Sequence, residues 1–117
     1  MLVRISGEEK NYPWGSAHLI QDHFGIGKPD QPLAEVWFGT HDGGHSKVLA
    51  TTQTLTEAIG AKLSFLVKFL AADSALSIQV HPNSLQAKAG FARENAAGIS
   101  VNAAERNYKD DSHKPEI

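Results

Sequence analysis

The chain has 117 residues, with 11 Lys and Arg against 13 Asp and Glu, giving a formal charge of −2 at neutral pH. That length suits one domain with a real core, and the near-neutral balance argues against the basic face that a nucleic-acid backbone demands. No run approaches the ~20 apolar residues of a membrane helix, the first residues lack the apolar run and cleavage site of a secretory leader, and the absence of cysteine excludes disulfides, iron–sulfur clusters and thiolate zinc sites.

In chain order, residues 2–5 read as a short strand. Residues 11–16 form a shaped loop, with Pro13 fixing φ and Gly15 permitting unusual dihedrals. Ser16 is placed to cap a helix over residues 17–24 that Gly25 and Gly27 end, and residues 28–32, with two prolines, read as a connector. Ala34, Val36 and Phe38 then alternate with Glu35 and Trp37, the two-residue period of a strand. Asp42-Gly43-Gly44 signals a turn, with residues 47–50 as the return strand. Thr54 with Glu57 three residues on is a capping box opening a helix over residues 54–62. The apolar runs 63–72 and 76–82, broken by Asp73-Ser74-Ala75, read as a hairpin stopped by Pro82. Asn83 and Ser84 can cap a helix over about residues 85–95, and residues 107–117 are polar and loop-like. The chain ends directly after a polar cluster with strands left unpaired, so it reads as a piece of something longer.

The chemistry concentrates in residues 76–82. Alternation turns Leu76, Ile78 and Val80 toward a core and Ser77, Gln79 and His81 to the opposite face. Buried polar groups need partners, and an amide oxygen with an imidazole two positions on can ligate one first-row divalent ion. The same pattern also describes a strand with a wetted face. His113-Lys114-Pro115-Glu116 puts an imidazole, an ammonium and a carboxylate within four residues. Glu116 can ligate a metal and Lys114 can hold a phosphate or stabilise an oxyanion. A solvated charged tail is the alternative. Trp14, near Lys10 and Tyr12, suits a sugar face or a cation, or packs over the core. Trp37 is open in the same way, and Glu35 on its face is either a supporting partner or exposed. His18, His23, His41 and His45 show no ligand spacing and read as surface or turn residues.

Several blocks are similar to the type I phosphomannose isomerases: residues 11–15 (NYPWG), 34–41 (AEVWFGTH), 76–83 (LSIQVHPN), 90–98 (GFARENAAG) and 104–110 (AERNYKD) followed by 113–116 (HKPE). The resemblance spans nearly the whole chain and implies a mainly β, cupin-type jelly-roll β-sandwich, incomplete here, with short helical segments. It makes residues 1–117 the N-terminal part of the catalytic region. The implied function is a zinc-dependent aldose–ketose isomerase interconverting mannose 6-phosphate and fructose 6-phosphate through an enediol, in mannose metabolism and GDP-mannose supply. The alternative is a non-catalytic cupin-like module that binds metal or sugar. By the resemblance, Gln79, His81 and Glu116 bind one Zn2+ per subunit, Ser77, Trp14 and Lys114 meet the substrate, and Lys114 and His113 are the catalytic candidates. A fourth ligand, a His, and an active-site Arg are expected downstream of this chain. With three of four ligands, the piece alone is expected to bind metal weakly and to turn over little or not at all. The implied partner is a small sugar phosphate, with no nucleic acid and no membrane, and the implied compartment is the cytoplasm.

Overall fold

The alternation around Val36 does produce a strand, and it is the middle one of a three-stranded sheet. The structure, a computed structural model, describes residues 2–76 and 80–115. The chain divides into two compact units, Met1–Leu76 and Ser77–Ile117, each with its own internal packing. Among the described residues the elements are β1 (Ile5–Ser6), β2 (Glu8–Lys10), α1 (Leu19–Phe24), β3 (Glu35–Phe38), β4 (Thr40–His41), β5 (Gly44–His45), β6 (Lys47–Val48), α2 (Leu55–Ile59), β7 (Val67–Leu70) and α3 (Ser84–Ala96).

In the first unit, β2, β3 and β7 pair antiparallel in that order, with Val36 opposite Glu9 on one side and Phe69 on the other. β1 pairs with β6 and β4 with β5. Ile20, Leu33, Val36 and Ala71 make the core, with Ile26 and Phe38 packed against it. Leu33 and Val36 are fully buried, and burial of such a side chain contributes roughly 1.5–3 kcal/mol. α1 buries Ile20 in this core and ends at Gly25, whose φ of 65° is the left-handed stop. Ser16 does cap it, from two residues further out than a standard N-cap: its Oγ accepts from the His18 and Leu19 amides, both at 3.2 Å. α2 carries the expected Thr54/Glu57 capping box. Gly15 is needed for closeness rather than unusual dihedrals, since a Cβ there would lie 2.5 Å from the Ala34 backbone.

Three expected elements differ. The strand at residues 2–5 begins only at Ile5, and Leu2 is exposed. The return strand is Gly44–His45, because a tight turn at Asp42 and Gly43 closes the hairpin at once. Residues 47–48 leave it to pair with β1, while Ser46, buried, exchanges hydrogen bonds with Gly39 through both its amide and its hydroxyl. Of the expected hairpin between residues 63–72 and 76–82, the first arm is shortened to β7, which docks on β3 and sets Phe69 edge-on to Phe38; the middle of the second arm lies outside the described residues. Leu76 and Val80 are 43% and 88% exposed, so neither points into a core. Ser77, Ile78 and Gln79 lie outside the described residues, and with them the expected alternation.

The second unit is built on α3, thirteen residues long, hence about 20 Å. Asn83 caps it and Gln86 completes a capping box, so this helix stands within one residue of its expected bounds. Ala87, Gly90 and Glu94 are buried on one stripe of it. Turns follow within residues 97–105, then bends and irregular chain to residue 115. No helix among the described residues is long and apolar enough to cross a membrane.

Candidate metal centre

His81 stands two residues ahead of the Asn83 cap, at the start of the long helix. Its Nδ1 is 2.6 Å from the Lys114 carbonyl oxygen. A carbonyl only accepts, so Nδ1 carries the proton, and in the neutral ring the lone pair is on Nε2. A hydrogen bond of this kind from the far ring nitrogen is how metal-binding histidines are oriented. The Lys114 ammonium meets both Asp110 carboxylate oxygens, at 2.7 and 2.6 Å, and Asp110 also accepts the Ser112 amide. Both members of this ion pair are about half exposed, so it adds little stability.

His81 and Lys114 border a cleft of about 760 Å³. Among the described residues, Arg93, Lys109 and Lys114 line it with one carboxylate, Asp110, and Arg106, also at its wall, is paired with Glu94. An excess of cations in a concave site favours an anionic ligand. Arg106 is 4% exposed. Its Nε donates to the Tyr108 carbonyl at 2.6 Å, Nη1 to the Ile99 carbonyl at 2.6 Å and Nη2 to Asn95 Oδ1 at 2.7 Å. The Glu94 carboxylate accepts from the Tyr108 amide at 2.8 Å and from the Asn107 amide and side chain. The Tyr108 amide, foremost, with Asn107 and the Arg106 charge, holds the Glu94 carboxyl below its usual range against the opposing effect of burial.

Of the expected site residues, the structure joins His81 to Lys114, with exposed His113 adjacent in the chain. Ser77, Gln79 and Glu116 lie outside the described residues. The described residues alone contain no cluster of three metal-ligating His, Asp or Glu groups. An amide oxygen, an imidazole and a carboxylate are a donor set that zinc accepts. Trp14 belongs to the first unit, where it stacks on Tyr12 with centroids 5.6 Å apart. Trp37 and Glu35 are partners: the indole donates to the carboxylate at 2.8 Å, and Lys68 adds a contact at 3.2 Å. Glu35 is therefore buried and paired, not exposed. The Glu94–Arg106 cluster escaped the sequence reading. Its one local signal is an acidic residue on the same helix stripe as Ala87 and Gly90, where small residues admit another segment.

The chain matches the family described as "Phosphomannose isomerase type I, catalytic domain" over residues 2–117. It is 43% identical over 135 residues to the mannose-6-phosphate isomerase of Salmonella typhimurium, covering 99% of this chain and 34% of that protein. For the Escherichia coli mannose-6-phosphate isomerase the identity is 42%, with the same coverage. Among solved structures, the S. typhimurium mannose 6-phosphate isomerase bound to fructose 6-phosphate and zinc superposes with a TM-score of 0.80 at 41% identity, covering 94% of this chain and 32% of that one. A zinc-bound holo mannose 6-phosphate isomerase gives 0.78 at 41% identity, covering 93% and 32%. The mainly β, cupin-type fold expected above is thereby borne out. The chain spans about a third of the length of the curated relatives it matches.

Proposed function

We propose, from the premise that this chain belongs to the type I phosphomannose isomerase family, that it forms part of the catalytic region of a zinc-dependent isomerase interconverting mannose 6-phosphate and fructose 6-phosphate. The observation that supports this most is the hydrogen bond from His81 to the Lys114 carbonyl. It joins the two stretches of chain that carry the expected ligands, Gln79 two residues before His81 and Glu116 two residues after Lys114.

In this reading His81 Nε2, the Gln79 amide oxygen and the Glu116 carboxylate hold the metal. Zinc, when bound, supplies a Lewis acid that stabilises negative charge developing on a substrate oxygen. The rest falls to the protein's own groups. The isomerisation moves a proton between C1 and C2 through an enediol, which needs an acid/base group within hydrogen-bond reach. Lys114 and His113, flanking the His81 contact, are the candidates for moving that proton or stabilising charge. The cations of Arg93, Lys109 and Lys114 at the cleft suit the phosphate of the substrate. Ser77 and Trp14 are the further substrate-binding candidates. The reading carries with it a cytoplasmic setting and a role in mannose metabolism and GDP-mannose supply. Its partner is a small sugar phosphate rather than nucleic acid or a membrane.

The test is a coupled assay of fructose 6-phosphate formation from mannose 6-phosphate, with zinc supplied, on the protein expressed from its complete reading frame. Turnover that collapses on Gln79→Ala or His81→Ala is expected. Zinc binding without turnover in the intact protein would overturn the proposal.

A further inference from the structure

We propose that the buried Glu94–Arg106 pair is a positioning device: it sets the course of residues 106–114, whose Lys114 carbonyl orients His81, and so governs the zinc affinity of the centre. The inference rests on the reading of His81 as a metal ligand, and neither residue of the pair touches substrate or metal in it.

The pair grips main chain rather than side chains. Glu94 accepts the successive amides of Asn107 and Tyr108, and Arg106 donates to the carbonyls of Tyr108 and Ile99. Tyr108 is therefore held at its amide and its carbonyl together, which fixes the direction in which the chain leaves it. The Tyr108 ring seats directly on Gly90, and the Arg93 guanidinium lies 5.8 Å from its centroid. From Tyr108 the chain runs past the Asp110–Lys114 ion pair to the carbonyl that accepts the His81 Nδ1–H hydrogen bond. His81 itself is carried two residues before the cap of the same helix that bears Glu94. One rigid element thus holds both ends of the His81–Lys114 contact. An apolar pair of similar volume fills such a space as well as an ion pair does, often without loss of stability. It cannot grip two peptides, so burial and grip are separable.

The experiment compares the wild-type chain with Glu94→Leu/Arg106→Met, which keeps volume and discards the grip, and with Arg106→Lys, which keeps the charge and discards the fork. Circular dichroism establishes that α3 persists. The His81 ring nitrogens are read by 15N NMR without metal, and zinc affinity by competition with a chromophoric chelator. The expected result is a single Nδ1–H tautomer in the wild type, a tautomer mixture in folded variants, and zinc affinity lower by about 10-fold or more, the usual scale for groups supporting metal ligands. Folded variants that keep the wild-type tautomer and affinity overturn the proposal. All variants are made in the protein expressed from its complete reading frame; if that wild-type protein binds no zinc, the metal reading fails, and the metal-free tautomer comparison still decides whether the pair positions His81. If the double variant does not fold, Arg106→Lys decides alone.

Discussion

Gly90→Ala pits two effects of known sign against each other. In the middle of a helix, alanine is favoured over glycine by about 1 kcal/mol, so propensity alone predicts a more stable α3. The structure predicts the reverse. A Cβ at residue 90 would lie 2.5 Å from both Cε atoms of Tyr108, whereas carbon pairs settle at about 3.5–4.0 Å. Relief requires the ring to move by about 1 Å or more, and the ring is tethered because Glu94 and Arg106 hold its backbone. Overpacking of this kind costs about 1–3 kcal/mol, so the net expectation is destabilisation by up to about 2 kcal/mol. Urea unfolding followed by far-UV circular dichroism measures it. The same change in a Tyr108→Ala background is the control. With the ring gone, only propensity remains, and Gly90→Ala should stabilise by about 1 kcal/mol. Equal stabilisation in both backgrounds would refute the packing of Tyr108 on α3.

Leu33→Ala, at a fully buried core position beside Val36, should cost about 2–5 kcal/mol in chemical unfolding of the first unit. A loss below 1 kcal/mol would mean that this core is not formed as described. Because the Glu94 carboxyl is held low in the folded chain, chiefly by the Tyr108 amide, it adds stability above the ordinary Glu pKa and loses it as pH falls through the lower folded value. Acid titration should therefore weaken the second unit below about pH 4, and Glu94→Gln should flatten that dependence. An unchanged acid limb in Glu94→Gln removes Glu94 from the account.

The sequence made local features legible and long-range ones not. The Thr54/Glu57 box and the Asn83 cap span four residues each, and both helices start where those residues put them. The alternation at Val36 announced a buried strand face but not its partners. β7 comes from about 30 residues away and takes the place that a local hairpin was expected to fill. At the site, the Gln79/His81 spacing and the residues around Glu116 stand out, yet on pattern and composition alone a wetted strand and a solvated tail describe them better than a metal site; the family resemblance is what favours the metal. The expectation joined the two segments through side chains around a cation. The structure joins them through a main-chain carbonyl, which no side-chain pattern encodes. Glu94 and Arg106 are 12 residues apart and act on backbone, so only the helix stripe of Ala87, Gly90 and Glu94 hinted at them.

Zinc titration of the 15N-labelled protein expressed from its complete reading frame, watched at the His81 ring, tests the metal centre most directly. The account predicts that zinc moves the Nε2 resonance while Nδ1 stays protonated against Lys114, and that Gln79→Ala and Glu116→Ala each weaken the response by about 10-fold or more. A His81 ring indifferent to zinc, or a response untouched by those two substitutions, would contradict it.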